Sequence, residues 1–92
     1  MGFNGDTWTG NIVATDDGTR EMTLVYNGKD GTETFVGVLQ SGYKIKLKDG
    51  TQLDVKPSMF RTGTHVTVYY MPKLHGLRKK YYEIFNIVTL PN

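Results

Sequence analysis

Asp-Gly-Thr occurs three times in this chain, at residues 17–19, 30–32 and 49–51. Asp-Gly favours a tight reversal, because Gly takes a positive φ without a Cβ clash and Asp can bond its own backbone. The β-branched Thr then restarts extended chain. Each triplet lies between two runs that read as strands, so the chain is built of hairpins. No segment carries a helix-length 3.6-residue apolar period, and no heptad or low-complexity tract occurs. The expected class is all-β: residues 1–92 as a single small barrel, closed or partly open.

Charge and apolar alternation set the hairpin registers. Tyr43, Ile45 and Leu47 alternate with Lys44, Lys46 and Lys48, and the returning strand offers Leu53 and Val55. A two-residue turn at Asp49-Gly50 would pair Lys46 with Leu53 and turn ammonium groups toward the core. A three-residue loop, Lys48-Asp49-Gly50, instead pairs Ile45 with Leu53, Tyr43 with Val55 and Lys44 with Asp54. It also sets Gly50 at the left-handed position such a loop needs, so this register is the expected one. By the same grammar a loop of Asp16-Asp17-Gly18 pairs Thr15 with Thr19, Ile12 with Met22 and Trp8 with Tyr26. Trp8, Ile12, Met22, Leu24 and Tyr26 then share one apolar face. The second triplet leads into Thr32–Leu39, with Val36 facing Leu24, Val38 facing Met22 and Phe35 on the other side. Gly10 and Gly37 lie inside strands and mark bends. Pro57 opens and Gly63 closes a short turn, in which Met59 or Phe60 plugs a barrel end. Val66, Val68 and Tyr70 form the inner face of a strand over Thr64–Met71. A loop over Pro72–Lys80 and a last strand over Tyr81–Leu90 follow.

The composition limits the chemistry. The 92 residues include no Cys and two His, so there is no disulfide framework and no thiol nucleophile. His65 and His75 follow no catalytic or zinc-binding signature, and each reads as an ordinary histidine. The acidic turn Asp16-Asp17-Gly18 lacks the twelve-residue calcium loop, and turn chemistry accounts for it. No phosphate-cradling or dinucleotide fingerprint occurs. The expectation is a protein that is not an enzyme and carries no cofactor or metal. No apolar run approaches the roughly 20 residues that span a bilayer. The first residues show no charged and apolar leader pattern, and export with a leader removed stays open.

The formal net charge of +2 conceals a division. Residues 1–43 hold Arg20 and Lys29 against Asp6, Asp16, Asp17, Glu21, Asp30 and Glu33, a net of −4. Residues 44–92 carry the compensating excess of Lys and Arg. Lys73, His75, Arg78, Lys79 and Lys80 crowd into one stretch, flanked by Tyr69, Tyr70, Tyr81 and Tyr82. Cations interleaved with rings suit a polyanion, through phosphate pairing and base stacking. The candidate ligand residues are therefore Lys73, Arg78, Lys79, Lys80, Tyr69 and Tyr81. The plainer reading of the same residues is a solvated hairpin tip whose charges keep strand edges apart.

Trp8-Thr9-Gly10 at the head of a strand, the Lys48-Asp49-Gly50-Thr51 hairpin, and a Pro-Ser turn before Gly63-Thr64-His65-Val66-Thr67-Val68-Tyr69-Tyr70 come in this order. The closing strand is Glu83-Ile84-Phe85-Asn86-Ile87-Val88. This order resembles small bacterial OB-fold domains of unknown function, some of them exported. The resemblance implies a five-stranded barrel whose ligand face is lined by the loop at 71–80. The helix usual between the third and fourth strands of that family is reduced here to Pro57–Arg61, which leaves an SH3-like barrel as the alternative. Two functions fit these residues. One is a structural or protein-interaction module of the cell envelope. The other is a module that binds nucleic acid or an acidic polysaccharide through its basic loop.

Overall fold

A computed structural model describes residues 5–75 and 79–91. Among these residues seven strands follow one another: β1 (Asp6–Asp16), β2 (Glu21–Gly28), β3 (Gly31–Leu39), β4 (Lys44–Lys46), β5 (Gln52–Asp54), β6 (His65–His75) and β7 (Lys79–Thr89). A single 3₁₀ turn, Pro57–Met59, separates β5 from β6. Five strands close a barrel in the order β1-β2-β3-β7-β6. All neighbours are antiparallel except β3 and β7, which run parallel through Val38 with Glu83 and Leu39 with Ile84. This is the strand order of an OB-like barrel, in which the third and last of the five strands meet side by side.

Ile12, Met22, Leu24, Val66, Val68 and Ile84 are fully buried, and Phe35, Leu39, Val55 and Ile87 complete the core. Each such side chain contributes about 1.5–3 kcal/mol by leaving water. The face expected for β6 is the one found: Val66 and Val68 are buried and Tyr70 packs on the core. Pro57 is buried and Phe60 packs against the core at the end of the barrel, whereas Met59 is 46% exposed.

The third hairpin has the expected register. Lys44 lies opposite Asp54 and Ile45 opposite Leu53. Lys44 Nζ sits 3.0 Å from Asp54 Oδ1. The Val55 amide donates to the Tyr43 carbonyl at 2.9 Å, and Gly50 has φ +92°. Its position differs from expectation. β4 and β5 form a separate two-stranded sheet outside the barrel, so its apolar face does not enter the core.

The first two hairpins depart from the expected registers. Thr15 pairs with Met22 and Asp16 with Glu21, so the first loop holds four residues, 17–20. Asp16, rather than Asp17, caps this loop: its Oδ1 accepts the amides of Gly18 and Thr19 at 2.8 and 3.3 Å. The left-handed residue is Arg20, at φ +64°. A bulge between Ile12 and Ala14 shifts the register, which brings Ile12 opposite Leu24 with both still inside. Trp8 lies opposite Val68 of β6, not Tyr26. In the second hairpin Gly28 pairs with Gly31 around the two-residue turn Lys29-Asp30. This one-residue difference reverses the faces of β3. Phe35 opposes Leu24 and is buried, whereas Val36 is 47% exposed.

Three rings lie over a glycine two residues further along the same strand. A Cβ on Gly10 would stand 2.6 Å from the Trp8 ring, one on Gly28 2.7 Å from Tyr26, and one on Gly37 2.7 Å from Phe35. In each case the ring uses the space that the missing side chain leaves.

Candidate functional site

β6 and β7 continue well past the bend that was expected to end them. Pro72 pairs with Tyr82, Lys73 with Tyr81, Leu74 with Lys80 and His75 with Lys79. The expected loop over 72–80 is therefore mostly a two-stranded ribbon, because alternating residues kept the ladder going despite Pro72. Its register separates the candidate cations. Lys73 and Tyr81 lie on one face, while Leu74 and Lys80 lie on the other. Lys73 Nζ is 3.8 Å from Glu83 Oε1, which already supplies a counter-charge. Tyr69 is half-buried, with its ring 6.4 Å from Phe85. Arg78, and the side chains of His75 and Lys79, lie outside the described residues. Lys73, Tyr69 and Tyr81 thus share the outer side of the ribbon, and Tyr81 also borders a cleft of about 340 Å³ with Lys80.

The face most used by OB-like barrels for oligonucleotides, that of the second and third strands, carries Thr23, Val25, Thr34, Val36 and Glu21 here. Beside it, Lys80, Tyr81 and the 41% exposed Tyr82 of β7 line one cleft with Glu21, Val36 and Val38. His65 spends one ring nitrogen on Asn11, with Nδ1 2.9 Å from Asn11 Oδ1.

A second surface emerges from the β4–β5 hairpin. Ile45, Leu47 and Leu53 are 44%, 42% and 39% exposed. They continue the face that begins at buried Val55 and half-buried Tyr43, so one apolar strip runs from the core out into solvent. Five hydrogen bonds, made by Arg20 and Tyr43, hold the root of the hairpin. Arg20 Nε donates to the Leu39 carbonyl at 2.9 Å, and its Nη2 donates to the Gln40 and Val55 carbonyls at 2.8 and 3.1 Å. The Tyr43 hydroxyl lies 3.2 Å from Asn86 Oδ1 and accepts the Ile87 amide at 3.3 Å. The 3₁₀ turn below is tied to the first loop by Asp17, which accepts the Ser58 amide and hydroxyl at 2.9 and 2.5 Å. Those two bonds hold the Asp17 carboxyl below its ordinary pKa of 3.8. Lys44 and Lys46 lie on the opposite side of the hairpin, and Lys48 is exposed in its loop.

Ile45, Leu47 and Leu53 were read from sequence as core residues. A period-2 strip has the same spacing whether it faces a core or a partner. No sequence signal separated the two; in the structure, three paired residues on each strand are too few to join a barrel whose strands run eight to eleven residues.

Rings gather at the end of the barrel away from this hairpin. Phe35 lies 5.4 Å from Trp8, 4.8 Å from Tyr70 and 5.8 Å from Tyr82, centroid to centroid. Burial, with the nearby Asp6 carboxylate second, raises the Tyr70 phenol above its usual pKa of 10.

The fold and these surfaces define a small all-β protein, a closed five-stranded OB-like barrel with a projecting hairpin. Against protein-family models, curated proteins and solved structures, the chain matches none.

Proposed function

We propose that this chain is a non-enzymatic protein-interaction module whose contact surface is the apolar face of the β4–β5 hairpin. The observation that carries the reading is the exposure of Ile45, Leu47 and Leu53 on one rigidly rooted face. Contiguous exposed apolar surface on a small protein marks an interaction site. The lysines behind it favour a partner whose apolar contact area is rimmed by carboxylates, since charges at a rim steer encounter and select the partner.

The test uses the double variant Ile45→Ser/Leu53→Ser and a photo-crosslinking residue at position 47 in cells that make the protein. The expected result is a discrete protein adduct that disappears in the double variant, while the melting temperature stays within a few degrees. A large drop in melting temperature, or an adduct indifferent to the two substitutions, would overturn the reading.

The polyanion reading has less support, because Lys73 is paired with Glu83 and faces away from Lys80. Retention on heparin at about 50 mM salt, lost in the Arg78→Ser/Lys79→Ser/Lys80→Ser variant, would favour it instead.

A further inference from the structure

At the aromatic end of the barrel, β1 and β2 separate. Their pairing ends at Asn11 with Val25, and the first residues of β1 pair only with β6. The separation leaves a cleft of about 200 Å³ lined by Thr7, Trp8, Thr9, Tyr26 and Glu33. Trp8 is half-buried, with one side stacked on Phe35 at an interplanar angle of 25°. Tyr26 is 49% exposed. Glu33 lies directly across the ladder from Tyr26, and no cation pairs with it among the described residues. Asp6 stands on the same end, opposite Tyr70.

From this geometry we propose that the cleft is a binding site for an organic cation, an alkylated ammonium group of the choline or methyl-lysine type. Two electron-rich rings and one unpaired carboxylate around a small open volume are the elements that recognise such a group. The rings attract the cation through their quadrupoles, and the carboxylate supplies the full counter-charge. An alkylated ammonium suits this site better than a bare one, because its methyl groups meet the parts of the Trp8 and Tyr26 rings left uncovered by Phe35, Gly10 and Gly28 and shed water readily. The acidic excess of the first half of the chain adds to the attraction, since Asp6, Asp30 and Glu33 all belong to this end. Lys29 lies in the turn beside Tyr26, and the β6–β7 ribbon that carries Lys73 and Lys80 continues from the same end. This site is separate from the hairpin surface and does not depend on its role.

Trp8 is the only tryptophan in the chain, so its emission reports this cleft directly. Choline is titrated into the intact protein beside its neutral isostere 3,3-dimethylbutanol, and beside glucose as a sugar that would also stack on rings. The expected result is a saturable change in Trp8 emission with choline and none with the alcohol or the sugar. Glu33→Gln alters an exposed side chain and is expected to weaken choline binding roughly tenfold, as loss of a contacting counter-charge does. An unchanged near-ultraviolet spectrum confirms that this variant is folded. An equal response to the neutral alcohol, a saturable response to glucose alone, an affinity unchanged by Glu33→Gln, or no saturable response to choline would each overturn the proposal.

Discussion

Arg20 combines a left-handed backbone, at φ +64°, with a guanidinium that reaches three carbonyls. The left-handed conformation costs a non-glycine residue about 1–2 kcal/mol. Charge-assisted bonds to Leu39, Gln40 and Val55 offset it, and the Leu39 amide returns a bond to the Arg20 carbonyl at 2.8 Å. The planar fork is what lets one side chain serve the end of β3 and the end of β5 together. Arg20→Lys keeps the charge and loses the fork, so urea denaturation is expected to register a loss of about 1–3 kcal/mol. Asp17 acts at the same end. Its pKa is depressed in the folded state by the hydroxyl and amide of Ser58. The stabilisation is therefore complete above the ordinary value of 3.8 and is lost as pH falls through the lower folded value. Asp17→Asn is expected to melt below the wild type at neutral pH. That gap should narrow in melts recorded below pH 3.8, and a constant gap would contradict the argument.

Among the elements, the β4–β5 hairpin is the one whose sequence and position part company. Its register was legible because burial and charge pointed the same way, pairing Ile45 with Leu53 and Lys44 with Asp54. Its exposure was not, because alternation does not name the surface it faces. The other hairpins mislead for local reasons. A bulge after Ile12 and a four-residue loop replace the tidy reversal implied by Asp16-Asp17-Gly18. A two-residue turn at Lys29-Asp30 moves β3 by one position and brings Phe35, not Val36, inside. The hairpin's independence from the barrel also shapes how it fails. Gly50→Val forces a β-branched residue to φ +92°, at a cost of about 1–2 kcal/mol. That cost is expected as local opening: the amides of Leu47 and Gly50, bonded to Thr51 and Leu47, should exchange with solvent roughly tenfold faster. Exchange in β1 and β6 should stay as it was.

On the scale of the whole molecule, the barrel closes along an uneven seam. β1, β2 and β6 are joined by long antiparallel ladders, while β3 and β7 share two residue pairs and a bond from the Gln40 amide to the Ile84 carbonyl at 2.8 Å. Native-state hydrogen exchange should follow this pattern, because opening free energy tracks local contact and hydrogen bonding. The amides of Ile12, Leu24, Val66 and Val68 are expected to exchange last, at the global unfolding free energy. Gln40 and its neighbours at the seam are expected to exchange through smaller openings. Equal protection at the seam and in the core would show that the barrel opens only as a unit. The candidate surfaces lie apart on this body, with the apolar hairpin beyond one end and the ring cluster with its acidic cleft at the other.

Sequence alone determined the all-β class, the three reversals at the Asp-Gly-Thr triplets, the inner face of β6 and the internal register of the third hairpin. Each of these rests on neighbours within a few residues: turn chemistry, period-2 alternation and facing charges. Tertiary structure decided that β3 meets β7 in parallel, that Phe35 faces inward, and that β6 and β7 run on as a ribbon that divides Lys73 from Lys80. It also decided that the strip of Ile45, Leu47 and Leu53 stays uncovered while Trp8, Tyr26 and Glu33 converge from three strands. These outcomes depend on which distant strand arrives beside which, and a one-residue change in a single turn is enough to exchange the two faces of a strand.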